Sequence, residues 1–325
     1  MQIFRNPNYN FIRWRWHAIV LSLLVVIAGA ATMATRGMPL GIDFSGGTIV
    51  VVQFDQAVSE DQVRRAVTNV GGEVGVQRYG EAEDRQWLIR LPQTLAREQG
   101  ASLEQGSQQI EQALQKAGLP SFQVIQRDLV GPVIGAELQR RGVYATLASI
   151  VAIMIYIAVR FRFTFAVGAI VATFHDIFVT FAFLAFFGYE LSLNVVAAIL
   201  TITGYSVNDT IVVFDRVREN LRSMRRDTLD QVVNTSVNQT LSRTIITAGT
   251  TFLAVLSLYV FGGEVLRGFA FTMLVGIISG TYSTVFIASA IAIVLSHRRR
   301  AAVAAAAAPA RPETRGRKAR GARAS

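Results

Sequence analysis

The sequence predicts a polytopic α-helical membrane protein with six transmembrane helices and a small α/β domain after the first of them. Three observations carry that prediction. Hydrophobic residues make up 51% of the 325 residues and charged residues 17%, against about a quarter charged in an average soluble domain. The apolar residues gather into six runs of 17 to 28 residues, and about 20 apolar residues span a bilayer core. One long polar stretch, Thr35 to Arg141, separates the first run from the other five.

The first element is a short basic N-terminus, residues 1–17, carrying Arg5, Arg13 and Arg15. The first apolar run, 18–34, contains Ala28-Gly29-Ala30, which resembles a signal-peptidase site. The run is longer than the roughly 7–15 apolar residues of a signal peptide, so it reads as a retained span.

Residues 35–141 read as the α/β domain. Thr48 to Phe54 predicts a strand. Ser59-Glu60-Asp61-Gln62 is a capping box that opens a helix through Val70. Glu73 to Arg78 and Trp87 to Leu91 predict two more strands around a polar turn. Ser102-Leu103-Glu104-Gln105 is a second capping box, opening a helix to Ala117, and Phe122 to Leu129 predicts the last strand. The order β-α-β-β-α-β is the split βαβ, or ferredoxin-like, motif.

Residues 142–296 supply the other five spans: Val143–Val159, Phe163–Phe187, Leu191–Phe214, Thr244–Phe261 and Gly268–Leu295. Between spans 4 and 5, residues 227–240 place Leu229, Val232, Val233 and Val237 at helical spacing, which predicts an amphipathic cytoplasmic helix. In span 6, Gly276 and Gly280 offer a small-residue face for close helix packing. Residues 297–325 form a basic, low-complexity tail and are expected to be disordered.

Charge sets the orientation. The formal net charge is +10. Arg36 to Arg141 holds 11 basic and 13 acidic residues, a net of −2, which leaves 21 basic and 9 acidic, a net of +12, for the rest. That excess lies at Arg160 and Arg162 after span 2, at Arg216 to Arg226 after span 4, and at His297 to Arg300 after span 6. The connections after spans 3 and 5 carry only Glu190, Glu264 and Arg267. By the positive-inside rule both termini are cytoplasmic and the α/β domain lies outside. The same rule accounts for the high pI, and no nucleic-acid partner is expected.

Several chemistries are excluded or unsupported. With no Cys there is no disulfide, thiolate metal site or cysteine nucleophile. There are three His and no HExxH, GxSxG or P-loop pattern. No enzymatic activity and no cofactor is expected.

The motifs resemble the bacterial SecD/SecF family, on its SecF side. The residues that carry the resemblance are Gly41-Ile42-Asp43-Phe44-Ser45-Gly46-Gly47-Thr48 after span 1 and Val130-Gly131-Pro132-Val133-Ile134-Gly135 before span 2. Three more sets join them: Phe174-His175-Asp176; Gly204 to Thr210 with Phe214-Asp215-Arg216; and Asn238 to Thr244. The resemblance covers the chain from Met1 to about Ser296. It implies half of a fold of the resistance-nodulation-division (RND) type, set in the cytoplasmic membrane. It implies SecD as heteromeric partner, the SecYEG channel and preproteins as further partners, and YajC as a candidate one. It implies that proton flow assists preprotein translocation. A half-transporter of RND type exporting a small molecule or lipid is the competing reading, and a passive scaffold is the third.

The residues support a proton site on their own terms. An Asp at the centre of a span costs at least ~2.5 kcal/mol on insertion scales, so an intramembrane ionisable group reads as functional. His175, Asp176 and Asp209 are such groups. Thr201, Tyr205, Asn208 and Asp209 form one polar stripe on span 4, and Arg243, Thr247, Thr250 and Thr251 form another on span 5. The two spans run in opposite directions and place Asp209 and Arg243 at matching depth, so a direct pair is expected. Arg243 stays charged. Deprotonated Asp209 is held by it, protonated Asp209 releases it, and the helices rearrange. Each charge that crosses delivers about 2.3 kcal/mol per 100 mV. Tyr205, Asn208, Thr247 and Thr251 are supporting polar candidates. His175 and Asp176 are neighbours in sequence, so their side chains leave the helix about 100° apart and are not expected to face each other. Core packing and a supporting role remain open for that pair.

Overall fold

The structure is a computed structural model and describes residues 7–70, 74–80, 82–92 and 103–307. Each apolar run lies in a long helix, because hydrocarbon offers no partner for backbone N–H and C=O groups and a helix satisfies them internally. Six helices are long and apolar enough to cross a membrane: span 1 Ile12–Arg36, span 2 Val133–Arg160, span 3 Phe163–Phe187, span 4 Leu193–Ser223, span 5 Leu229–Phe261 and span 6 Val265–Arg299. The chain is a multi-pass membrane protein.

The helices overrun the apolar windows that predicted them. Span 1 begins at Ile12, six residues before the apolar run. The segment expected as a separate amphipathic helix, 227–240, is the first part of a single 33-residue helix, Leu229–Phe261. Thr228 caps it and Gln231 closes a capping box. Leu229, Val232, Val233 and Val237 are buried against Val213, Phe214 and Val217 of span 4, so the apolar face packs inward and not on lipid. The same helix pins the N-terminal segment. Asn238 exchanges two hydrogen bonds with the Tyr9 backbone, at 2.8 and 2.9 Å, and Asn234 donates a third at 3.0 Å. The last helix continues past Arg299, the end of span 6, to Ala307 through an alanine run, and alanine has the highest helix propensity of any residue. The rest of the tail expected to be disordered lies outside the described residues.

The small domain follows span 1. A short helix, Ile42–Ser45, leads through Gly46 into β1, Gly47–Phe54. Gly46 at φ 69° and Gly47 at φ 136° make this turn, and both values are ones that a side chain disfavours. β2 is Gly75–Tyr79, β3 is Gln86–Pro92 and β4 is Phe122–Val130. The order across the sheet is β2-β3-β1-β4 with every pair antiparallel. Val50 stands opposite Ile89, and a bulge interrupts β1–β4 between Val51 and Val52.

Two helices, Glu60–Val67 and Leu103–Lys116, cover one face through Val63, Val67, Ile110 and Leu114. They meet Val50, Val52, Phe54, Trp87, Ile89 and Leu91. Ile49 and Val51 on the other face pack with Ile42, which explains why the central strand is apolar on both faces. The first capping box forms, with Gln62 accepting from the Ser59 backbone at 2.9 Å. Ser102 of the second lies outside the described residues.

Candidate functional site

Asp209 sits midway along span 4, half-buried against span 5. Its Oδ1 accepts a 2.7 Å hydrogen bond from the Thr244 hydroxyl. Its Oδ2 is buried and has no hydrogen-bond partner among the described residues. Arg243 does not pair with it. The reason is azimuth: successive residues leave a helix about 100° apart. Thr244 therefore faces Asp209, while Arg243 is exposed and acts on Asp209 only through its charge, without an ion pair. Thr244 was missed in sequence because a threonine beside an arginine gives no electrostatic signal.

The two polar stripes run along one side of spans 4 and 5. Tyr205 is half-buried and meets Thr251 across that seam. Thr201, Asn208, Arg243, Thr247 and Thr250 are exposed. The threonines at 201 and 250 return their hydroxyls to their own helix backbone, at 2.8 and 2.9 Å. Asn208 and Arg243 have no side-chain hydrogen bond or ion pair among the described residues. Asn208 and Arg243 lie within the two candidate spans, where such groups are costly to leave against lipid.

A second polar centre lies deeper. Asp176 of span 3 is 1% exposed. It accepts from three serine hydroxyls, Ser206 at 2.5 Å, Ser279 at 2.7 Å and Ser283 at 2.7 Å. Those serines come from spans 4 and 6, so one carboxylate ties three helices. His175 corrects the expectation from spacing, since its Nδ1 lies 3.0 Å from Asp176 Oδ1. The bonds from Cβ outward let the imidazole fold back along the helix to its neighbour. Its ring stacks on Tyr282, and its Nε2 is buried with no partner among the described residues.

The serines were missed individually because a lone Ser in an apolar helix is common. Their signal was the small-residue face of span 6. That face meets span 4 of the same chain. A Cβ on Gly276 would lie 2.3 Å from Ile202, and one on Gly280 would lie 3.0 Å from Ser206. Just beyond, Thr284–Ala288 forms a π-helical turn, and the Thr284 hydroxyl meets that of Thr210 at 2.8 Å. Such turns cluster at functional sites.

The family model described as "Protein export membrane protein SecD/SecF, C-terminal" matches residues 109–298. A second, "SecD/SecF GG Motif", matches residues 32–58. The chain belongs to the SecD/SecF family.

Curated relatives place it with the SecF members. It is 41% identical to the protein translocase subunit SecF of Rhodothermus marinus over 96% of this chain and 100% of that one. It is 38% identical to SecF of Escherichia coli O157:H7 over 90% of this chain and 89% of that one. The crystal structure of SecDF from Thermus thermophilus, a translocon-associated membrane protein, matches with a TM-score of 0.80 and 35% identity over 90% of this chain. A super-membrane-facing form of SecDF matches at 0.70 and 34% over 94%. The SecF-family chain spans 39% and 41% of those two chains. Like the relatives named translocase subunits, it has a role in protein export.

Proposed function

We propose that this SecF-family chain assembles with SecD and uses proton flow to assist preprotein translocation through SecYEG. The observation that carries the proposal is the polar seam of spans 4 and 5, which leaves Asn208 and Arg243 exposed at membrane depth beside a buried Asp209 oxygen without a partner. Only protein or enclosed water satisfies such a seam. The matched SecDF chains are more than twice as long as the part this chain covers, and that remainder is the natural counterpart to cover it. In this reading the protein sits in the cytoplasmic membrane with both termini inside and the sheet domain outside, an orientation that the arginine distribution supports.

Asp209 and Arg243 form the switch. A protonated Asp209 needs no cation: its O–H donates within the seam while Oδ1 keeps Thr244. Loss of the proton leaves a carboxylate with one hydroxyl partner in a poorly solvated place. Arg243, one residue from Thr244 and on a long flexible stem, swings or rotates in to compensate it. Asn208, Tyr205, Thr247 and Thr251 line the path of that movement. His175 and Asp176 fix the relative positions of spans 3, 4 and 6 behind it.

The test is reconstitution of the chain with SecD and SecYEG in sealed vesicles under a proton gradient, reading preprotein import and proton flux. Asp209→Asn keeps volume and the Thr244 bond but cannot ionise, and is expected to abolish gradient-dependent import and flux while assembly survives. Arg243→Ala is expected to inactivate as well. Arg243→Lys keeps the charge without the guanidinium fork and retains part of the activity. Wild-type import and flux in Asp209→Asn would overturn the assignment.

A further inference from the structure

The Gly41–Thr48 motif takes no part in the membrane-embedded chemistry, yet its position connects to it. Gly41 N–H donates to the Leu191 carbonyl at 2.8 Å, and Leu191 N–H donates to the Pro39 carbonyl at 2.8 Å. Asp43 Oδ2 accepts from the Leu193 N–H at 2.9 Å. Leu193 is the first residue of the span 4 helix. Its N-cap, Ser192, takes the Val195 N–H, so Asp43 satisfies a backbone donor that the cap leaves open. From the sheet itself, Arg90 of β3 forms an ion pair with Glu190.

All of these contacts land on Glu190 to Leu193, the turn that joins spans 3 and 4. Those spans carry His175, Asp176 and Asp209. The fit is close. A Cβ on Gly41 would lie 3.1 Å from the Leu191 oxygen and 3.3 Å from Ser192 Cα. On its other side the Ile42–Ser45 helix rests on span 2, where a Cβ on Gly135 would lie 3.3 Å from Gly46 N. A single residue, Gly46, separates this helix from β1.

We propose that Asp43 is a positioning residue that couples span 4 to the sheet domain. Leu193 and Asp209 lie on one helix, 16 residues or roughly 24 Å apart at 1.5 Å per residue. A helix of that length moves as a rod, so a shift at Asp209 reaches the Leu193 N–H. Asp43 receives it and hands it to β1, the central strand of the sheet. Arg90–Glu190 is the second tie and keeps the domain from pivoting about the first. The proposal rests on the reading of Asp209 as a switch, but the clamp itself is tested separately from it.

The chain contains no Cys, so paired spin labels are introduced on a clean background. One goes at Lys116 on the sheet domain, the other at Val265, exposed at the start of span 6. The complex with a Cys-free SecD is placed in nanodiscs, and the label–label distance is read with Asp209 intact and as Asp209→Asn. The distance is expected to differ between those two. In the Asp43→Ala background the difference is lost and the distribution broadens, while proton flux persists and import falls. Asp43→Asn keeps an acceptor oxygen for Leu193 N–H and restores the wild-type response. Arg90→Glu broadens the distribution and Arg90→Glu with Glu190→Arg narrows it again.

If Asp43→Ala keeps both the difference and the narrow distribution, the coupling is wrong. If Asp43→Asn behaves as Asp43→Ala, the hydrogen bond is not the link. If Asp209→Asn shifts nothing in the wild-type background, the switch reading fails. The clamp is then judged by the width alone: broadening in Asp43→Ala upholds it, and an unchanged width overturns it.

Discussion

At the residue scale, the two membrane aspartates have opposite surroundings, and the proposed division of work between them rests on that difference. Asp176 is buried and saturated by three serine hydroxyls and an imidazole nitrogen. Asp209 has one hydroxyl and one bare oxygen. A saturated carboxylate holds helices together, and an unsaturated one is free to change partners. Asp176→Ala is therefore expected to destabilise the bundle, because each buried group left unpaired costs about 1–3 kcal/mol. Asp176→Asn keeps an acceptor and is expected to cost less. Thermal unfolding of the purified complex, read beside proton flux, checks both. If Asp176→Ala unfolds with the wild type, the serine cluster is not a structural tie.

At the element scale, the bundle depends on how closely span 6 approaches span 4. The contact is made by glycine against Ile202 and Ser206, so there is no room for a side chain. Gly276→Leu forces the two helices apart, with overpacking worth about 1–3 kcal/mol or more. It also pulls Ser279 and Ser283 from Asp176, so it should mimic Asp176→Ala in the melt. A milder element-level change is Thr228→Ala. It removes the cap of the 33-residue helix, including its Gln231 box, and loss of such a cap costs about 1 kcal/mol. Hydrogen exchange at the Leu229 to Val233 amides should rise in Thr228→Ala, with little change at Val255.

At the scale of the whole molecule, the prediction is topology. Reporter fusions after Lys116 and after Ala307 should read outside and inside, respectively. An inside signal after Lys116 would reverse the orientation and with it the direction of every charge movement proposed. The exposed seam makes a second prediction. Without SecD, Asn208 and Arg243 stand against lipid, so the chain alone should be degraded or aggregate, and co-expression with SecD should raise its level in membranes. Equal levels with and without SecD would mean that something else covers the seam.

Much of this was legible in the linear chain because the bilayer imposes simple demands. Length and apolarity alone mark a span, so all six were found, with ends displaced where charged or polar residues extend a helix beyond hydrocarbon. The α/β order followed from short strand-forming runs and capping boxes, which are local signals. Asp209, His175 and Asp176 stood out because an ionisable side chain in a span is costly wherever it points. What a sequence read by spacing does not carry is the angle at which helices face each other. That angle set Thr244 against Asp209 in place of Arg243. It brought Ser206, Ser279 and Ser283 from two helices onto one carboxylate. It also placed Asp43 beside Leu193, 150 residues away along the chain. A contact between distant segments depends on packing, and packing is decided only when every helix has found its neighbours.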